Sequence, residues 1–292
     1  MSSCHATQKL SHHARSISLP SDPHPLALQV EKQLCGLRAA EIAASSSSSI
    51  CHNLASLQDL YECVDSLLHL PLAQQSLSFE RHEQWVDRVC DGSLELLDIC
   101  GTTRDTLSES KQSLQDLQSS VRRKVTESEL TNEVCAYIMS RKKGSKVIQK
   151  CVQDMKKMDC KFASFPKDNN MVTILREVET ITLAVLKSLL PYLSGASSRS
   201  KQGNNHSLVF KLKLVRSTSC KEKRENIGQV VTVDAVLKTL RSQKSCKSVN
   251  IENVQKSLQE LEMSIQDLED GLEGLFRSII KTRVALLNIL NQ

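Results

Sequence analysis

Arg15, Ser16, Ile17, Ser18, Leu19 and Pro20 set an arginine three residues ahead of a serine, the spacing that basophilic kinases read. A phosphate on Ser18 would add a near-dianion with three strong acceptor oxygens, the group that an arginine cluster captures, and the whole pattern is that of a 14-3-3 ligand. Arg15, Ser16, Ser18 and Pro20 are therefore a candidate phosphopeptide motif. A second segment carries charge and no shape. From Arg199 to Arg224 there are eight Lys or Arg residues against the single acid Glu222. Lys211, Lys213, Arg216, Lys221, Lys223 and Arg224 form its densest part, a candidate contact for an acidic partner or an anionic membrane, where each cation near the surface contributes about 1 kcal/mol.

Bond chemistry has no comparable foothold. The chain lacks a GxSxG elbow and a Gly-rich phosphate loop, and His82-Glu83 has no second His to complete a zinc helix. Lys142, Lys143, Gly144, Ser145 and Lys146 look like the end of a P-loop, but the first glycine and the strand before it are missing. The eight histidines are scattered, with His12-His13 the closest grouping. Eleven cysteines, an odd number spread from Cys4 to Cys246, include no CxxC pair and no metal spacing, so they read as small apolar core residues of a reduced, intracellular protein. Glu260, Glu262, Asp267, Glu269, Asp270 and Glu273 crowd one helix without a calcium-loop pattern, and most are expected on a solvated face. No catalytic residue, cofactor or metal is expected.

Nucleic acid is not an expected partner either. The formal charge of +5 is small for 292 residues, and one Trp, three Tyr and five Phe leave few rings for base stacking. Arg122-Arg123-Lys124 and Arg141-Lys142-Lys143 read as solvated helix faces. No run approaches the roughly 20 apolar residues of a membrane span, and the N-terminus has no continuous apolar stretch of the secretory kind. Its first acid is Asp22, after Ser, His, Lys9 and Arg15, a composition shared with organelle transit peptides.

The elements that must position these residues are helices. Few aromatics, nine Gly and six Pro, with abundant Leu, Ser, Lys, Glu and Gln, predict an all-α fold, an elongated bundle of long amphipathic helices. Residues 1–21 read as a flexible Ser/His-rich tail and 22–292 as one bundle domain. Asp22-Pro23 would start a helix carrying Leu26, Val30, Leu34 and Leu37 on one face, ended by the serines 45–49. Ile50, Leu54, Leu57, Tyr61, Val64 and Leu68 mark the next, with Pro71 as a break or kink. A third helix is expected over Phe79 to Cys100, stopped by Gly101, with Thr102 and Asp105 capping a fourth. That fourth helix carries Leu107, Leu114, Leu117 and Val121 and runs on through Val134, Ile138, Ile148 and Met155, with Gly144 its weak point. Lys161 to Asn170 reads as a connection between two halves of the bundle. Met171 to Leu193, apolar on more than one face, belongs at the centre. A basic Gly/Ser/Asn-rich loop near 194–207, a short amphipathic piece over Leu208 to Val215 and a short helix over Val230 to Leu240 follow.

The last forty residues give the strongest period. Ile251, Val254, Leu258, Leu261, Ile265, Leu268, Leu272, Leu275 and Ile279 keep three-four spacing, a coiled-coil-like packing ridge that Thr282 interrupts and Leu286 and Ile289 resume. Phe276, Ile280, Val284, Leu287 and Leu290 widen it, so the end of this helix is expected to be buried on a broad face. Gly271 and Gly274 cost helix stability, which a close backbone approach by a neighbour would justify, or else they mark a kink.

Several segments together resemble the plant-specific BYPASS-related family, classed as a domain of unknown function. They are Arg15 to Pro20 with His24-Pro25, Leu60-Tyr61-Glu62-Cys63-Val64-Asp65 with Leu70-Pro71, Asp91-Gly92-Ser93-Leu94-Glu95-Leu96-Leu97-Asp98, and Cys100-Gly101 with Arg104-Asp105. Leu175-Arg176-Glu177-Val178-Glu179, Asp267 to Glu273 and Ile280 to Leu290 extend the likeness to nearly the whole chain from Arg15. The resemblance implies a non-enzymatic role in root and shoot development, with a link to exocyst-type secretory tethering, and it supplies no catalytic residues. An N-terminal extension of about ten residues before the serine motif departs from the family pattern. The expected function is therefore protein binding by a cytoplasmic helical protein, whose partners are tethering subunits or 14-3-3 proteins. Peripheral attachment to anionic membrane through 199–224 is the alternative.

Overall fold

A computed structural model describes residues 24–41, 46–79, 84–123, 126–162, 170–194, 233–234, 237 and 251–291. Among them there is no strand. The helices are α1 (Pro25–Glu41), α2 (Ser47–Leu68), α3 (Pro71–Phe79), α4 (Gln84–Arg123), α5 (Glu127–Phe162), α6 (Asn170–Ser194) and α7 (Ile251–Leu290).

The helix starts follow cap chemistry. Ser46 caps α2 reciprocally with Ser49, each side chain accepting from the other residue's backbone N–H at 3.2 Å. The serine run thus opens α2 as well as following α1. Pro71 opens α3 at the one place where a missing N–H costs nothing, rather than merely breaking α2. Thr126 and Glu129 close a second box at the start of α5, with Thr126 N–H donating to the Glu129 carboxylate at 3.0 Å. At α1 the first helical residue is Pro25, and His24 Nδ1 accepts from Leu26 N–H at 3.2 Å. Asp22 and Pro23, expected to start that helix, lie outside the described residues.

Two expected boundaries are corrected. Gly101 does not end a helix, because α4 runs unbroken through it from Gln84 to Arg123. Thr102 and Asp105, expected to cap a new helix, lie inside α4, where the Thr102 carbonyl accepts from the Thr106 hydroxyl at 2.8 Å. Phe79 belongs to the end of the short α3, where it is largely exposed. Gly144 is no weak point either. It sits inside α5 where α4 crosses closely, and a Cβ there would lie 3.2 Å from Thr106 Cγ2. The break falls instead between Arg123 and Thr126, which makes α4 and α5 a helical hairpin.

Packing centres on α6 and α7. α6 touches α1, α2, α4 and α5, and Val178, Ile181, Val185, Leu186 and Leu189 bury several faces of it, as expected for a central helix. Because α6 spans those four partners, the segment before it does not divide the described bundle into halves. α7 lies along α2 and α4, with α3 against it. Val254, Leu258, Leu261, Ile265, Leu268, Leu272, Leu275 and Ile279 are all buried there. Ile251 is the exception at 43% exposure, since it is the first residue of α7 and its end projects past the neighbours. The broad face expected near the end is narrower too, because Ile280 and Val284 are 39% and 49% exposed. Of the expected helix over Val230 to Leu240, Val233 and Leu237 are described, and both are buried in the common core.

Gly271 and Gly274 stand where α2 presses on α7. A Cβ at Gly271 would lie 3.0 Å from Leu54 Cδ1, one at Gly274 would lie 2.6 Å from the Gln58 amide, and Gln58 Nε2 donates to the Gly271 carbonyl at 3.1 Å. Close approach, not a kink, explains the pair.

Candidate functional site

Two features of the described surface and interior carry polar chemistry. The first is a seam where α4 faces α7. Arg104 binds Glu273 at 2.6 Å and lies over the Phe276 ring at 5.4 Å, Lys111 pairs with Glu269 and donates to Gln266 at 2.9 Å, and the amides of Gln115 and Gln118 donate to Glu262 at 2.8 and 2.9 Å. The hydrogen bond from Arg104, reinforced by Arg277, holds the Glu273 carboxyl below its ordinary range. Glu262, Glu269 and Glu273, expected on a solvated face, are therefore turned toward α4, while Glu260, Asp267 and Asp270 do stay exposed. Successive turns of α7 put residues 262, 269 and 273 on one flank of the apolar ridge, and the facing flank of α4 is basic or amide-bearing.

The second feature lies inside, where α2, α4, α6 and α7 meet. Glu179 of α6 is buried, and its carboxyl rests against Gly92 of α4 so closely that a Cβ there would lie 3.0 Å from both carboxyl oxygens. Burial pushes the Glu179 acid well above its usual range, and the positive charges of Arg176 and Arg283 only partly oppose this. Arg283 reaches across from α7 and donates to the Cys90 carbonyl and, at 2.6 Å, to Ser93 Oγ. Tyr61 of α2 and Thr182 of α6 share a buried hydrogen bond of 3.1 Å, and Lys281 pairs with the nearly buried Asp65 carboxylate at 3.0 Å. A cavity of about 30 Å³ opens beside Glu179, Thr282 and Arg283.

Burial raises the thiols of Cys51, Cys63, Cys90 and Cys151 and pushes Cys100 up to about 12, so each is held as the weakly nucleophilic thiol. Tyr61 and Tyr137 are raised by burial as well. A groove of about 300 Å³ between α4 and α5 is lined by Glu95, Asp98, Thr102, Cys151, Asp154 and Lys157, and Lys157 already donates to Asp154 at 2.8 Å. Among the described residues no three His, Cys, Asp or Glu side chains are placed to hold a metal ion, and no helix is long and apolar enough to cross a membrane.

The basic runs have structural tasks. Arg141 donates to the Leu193 carbonyl at 2.7 Å and so ties α5 to the end of α6, Lys143 pairs with Glu109 at 2.6 Å, and Arg122 donates to Gln118 at 3.2 Å. The residues from Lys142 to Lys146 are continuous helix, which removes any likeness to a phosphate loop. Arg15, Ser16, Ser18 and Pro20, the cations Lys211, Lys213, Arg216, Lys221, Lys223 and Arg224, and the histidines His12, His13 and His82 lie outside the described residues. Sequence reasoning missed Glu179 as a site. The available signal was an acid in mid-course on a helix otherwise apolar on several faces.

Comparison with known proteins places these features in a family. The family model described as Protein BPS1 matches residues 53–289, most of the chain, from α2 through α7. No curated protein and no solved structure matches.

Proposed function

We propose a function from the premise that the chain belongs to the BPS1 family: it works by binding other proteins and not by bond chemistry. The observation that carries this reading is the setting of Glu179. It is the described side chain most like a general acid, yet it opens on a cavity of about 30 Å³, far below the roughly 300–1,000 Å³ that a small-molecule site needs. A substrate cannot reach it. The thiols of Cys51, Cys63, Cys90, Cys100 and Cys151 are held neutral by burial, which removes these as nucleophiles.

Binding then falls to exposed helix faces and to the two charged segments outside the described residues. The BYPASS resemblance directs the role toward root and shoot development in plants, with exocyst-type tethering subunits as partners and the cytoplasm as the place of action. Ser18, once phosphorylated, supplies a 14-3-3 contact. The full chain, phosphorylated by a basophilic kinase, is expected to bind purified 14-3-3 protein in a calorimetric titration, whereas Ser18→Ala abolishes the heat. Purified tethering subunits are expected to retain the chain on a column whether or not Ser18 is modified. Absence of binding in both assays, together with turnover of any small substrate, would overturn the reading.

The eight-to-one excess of basic residues over 199–224 favours a second reading, attachment to anionic membrane. Flotation with vesicles of neutral lipid and of neutral lipid doped with phosphatidylserine separates the two. Selective flotation with the anionic vesicles supports the membrane reading, and equal behaviour removes it.

A further inference from the structure

The junction of α2, α4, α6 and α7 contains two buried polar atoms that the protein itself leaves without partners, Glu179 Oε1 on α6 and Thr282 Oγ1 on α7. Both residues line the same cavity of about 30 Å³. A buried oxygen left unbonded is destabilising, and here two such oxygens belong to residues on one cavity wall. One water needs about 10–15 Å³ of such volume and two to four polar partners. The cavity therefore admits one or two waters and nothing larger.

The wall around it is built to keep the carboxyl in place. Gly92 gives the room that a side chain would take away, since a Cβ at that position would lie 3.0 Å from both oxygens of Glu179. Arg283, which could have reached in as a counter-ion, spends Nη1 on the Cys90 carbonyl and Ser93 Oγ instead. Tyr61, also on the cavity wall, shares its hydroxyl with Thr182. The polar groups near the cavity are thus satisfied by one another, except the two that face it.

We infer that the cavity is an internal water site, in which one or two water molecules bridge Glu179 on α6 to Thr282 on α7 and hold Glu179 as the neutral carboxylic acid. A carboxylic acid with one bridging water offers both a donor and an acceptor, as does a threonine hydroxyl, so all the hydrogen bonds close without a buried charge. The junction of four helices becomes proton-linked in consequence.

The charged and titratable groups facing Glu179 set the sign. They are Arg176 on its own helix, Cys90 and Glu95 on α4, Tyr61 on α2 and Arg283 on α7. Burial and Glu95 favour the acid form, the two arginines favour the carboxylate, and burial is the largest of these influences. The folded chain therefore binds this proton more tightly than the unfolded chain does. The contribution to stability is complete below the ordinary Glu range and is lost as pH rises from there through the folded value.

Two isosteric variants test the site in the full-length protein. In wild type, the Thr282 methyl group is expected to show a cross-peak to long-lived water in NMR, and Thr282→Val to remain folded while that site loses its bound water in a high-resolution crystal structure. Glu179→Gln, which keeps the shape and both hydrogen-bonding roles, is expected to match wild type in urea midpoint near the ordinary Glu range and to exceed it at neutral pH and above. The inference is overturned if the Thr282 methyl sees no bound water, or if the carbon-13 signal of the Glu179 carboxyl titrates in the ordinary range and the Gln variant gains nothing at higher pH.

Discussion

Placing a methyl group on Gly271 tests the close approach of α2 and α7. The added Cβ lies 3.0 Å from Leu54 Cδ1 and 3.3 Å from Leu54 Cβ. Leu54 is fully buried, so its side chain cannot swing into solvent, and its Cβ moves only with the backbone of α2. Two effects compete. Alanine gains about 1 kcal/mol over glycine in a helix interior, and overpacking a dense core costs about 1–3 kcal/mol. With an anchored neighbour the second effect wins, so Gly271→Ala is expected to destabilise by about 1 kcal/mol. Leu54→Ala removes the nearer atom and itself costs about 2–5 kcal/mol. In that background only the 3.3 Å contact with the remaining Cβ opposes the helix preference, and Gly271→Ala is expected to stabilise by less than about 1 kcal/mol. The reversal of sign is the diagnostic. Urea unfolding followed by far-ultraviolet circular dichroism and by the fluorescence of the single tryptophan, Trp85, gives the four midpoints of the cycle, provided the two probes coincide. A stabilising Gly271→Ala in the wild-type background, or the same effect in both backgrounds, would refute the close approach of α2 and α7. Gly274→Ala is the internal control. Its Cβ meets only the mobile amide of Gln58, and loss of the Gln58 bond to the Gly271 carbonyl, about 1 kcal/mol, cancels the gain in helix preference.

Thr126→Ala removes the side chain that caps α5 and is expected to cost about 1 kcal/mol in the same urea assay, with hydrogen exchange faster only in the first turn of α5. Glu273 is held below its ordinary range by Arg104 first and Arg277 next, so its contribution is present above the ordinary Glu range and is lost as pH falls through the lowered folded value. Glu273→Gln is therefore expected to lower the thermal midpoint at neutral pH and to converge with wild type in acid. A difference that persists at the acid end would mean that packing, not charge, is responsible. Cys100, buried and pushed up to about 12, is expected to resist a thiol reagent until global unfolding, while the exposed Cys35 reacts at once; mass spectrometry of partially labelled protein reads the order.

The apolar periods made most of the described helices legible. Leu54, Leu57, Val64, Leu258, Leu268 and Leu272 follow three-four spacing, and they are buried because a narrow ridge has one way to leave water. The boundaries were less legible, since the same residue types start, stop and run through helices. Thr102 with Asp105 reads like Thr126 with Glu129, yet only the second pair caps a helix, because only there does the chain turn back to lay α5 on α4. Glycine was ambiguous in the same way. Gly101 is tolerated in mid-helix with nothing within 4 Å of where a Cβ would stand, whereas Gly92, Gly144 and Gly271 each make room for a side chain on another helix. That distinction depends on partners far apart in the chain. The polar seam between α4 and α7 was hidden for the same reason, since Glu262, Glu269 and Glu273 look like solvated acids until the amides and cations of α4 are brought opposite.

The segments on which the BYPASS resemblance rests are dispersed in sequence, but several of them meet around one point. Tyr61 and Asp65 come from the first, Gly92 and Ser93 from the second, Arg176 and Glu179 from the third, and Lys281, Thr282 and Arg283 from the last. In the fold these residues meet at the junction of α2, α4, α6 and α7, joined by the Tyr61–Thr182 and Arg283–Ser93 contacts, by the seat that Gly92 gives to Glu179 and, from the solvent side, by Lys281 on Asp65. Its buried polar groups set register: apolar ridges slide at little cost, while a displaced hydrogen bond leaves a buried group unpaired at about 1–3 kcal/mol. The polar contacts thus fix the register of four helices that their apolar ridges alone would leave free to slide.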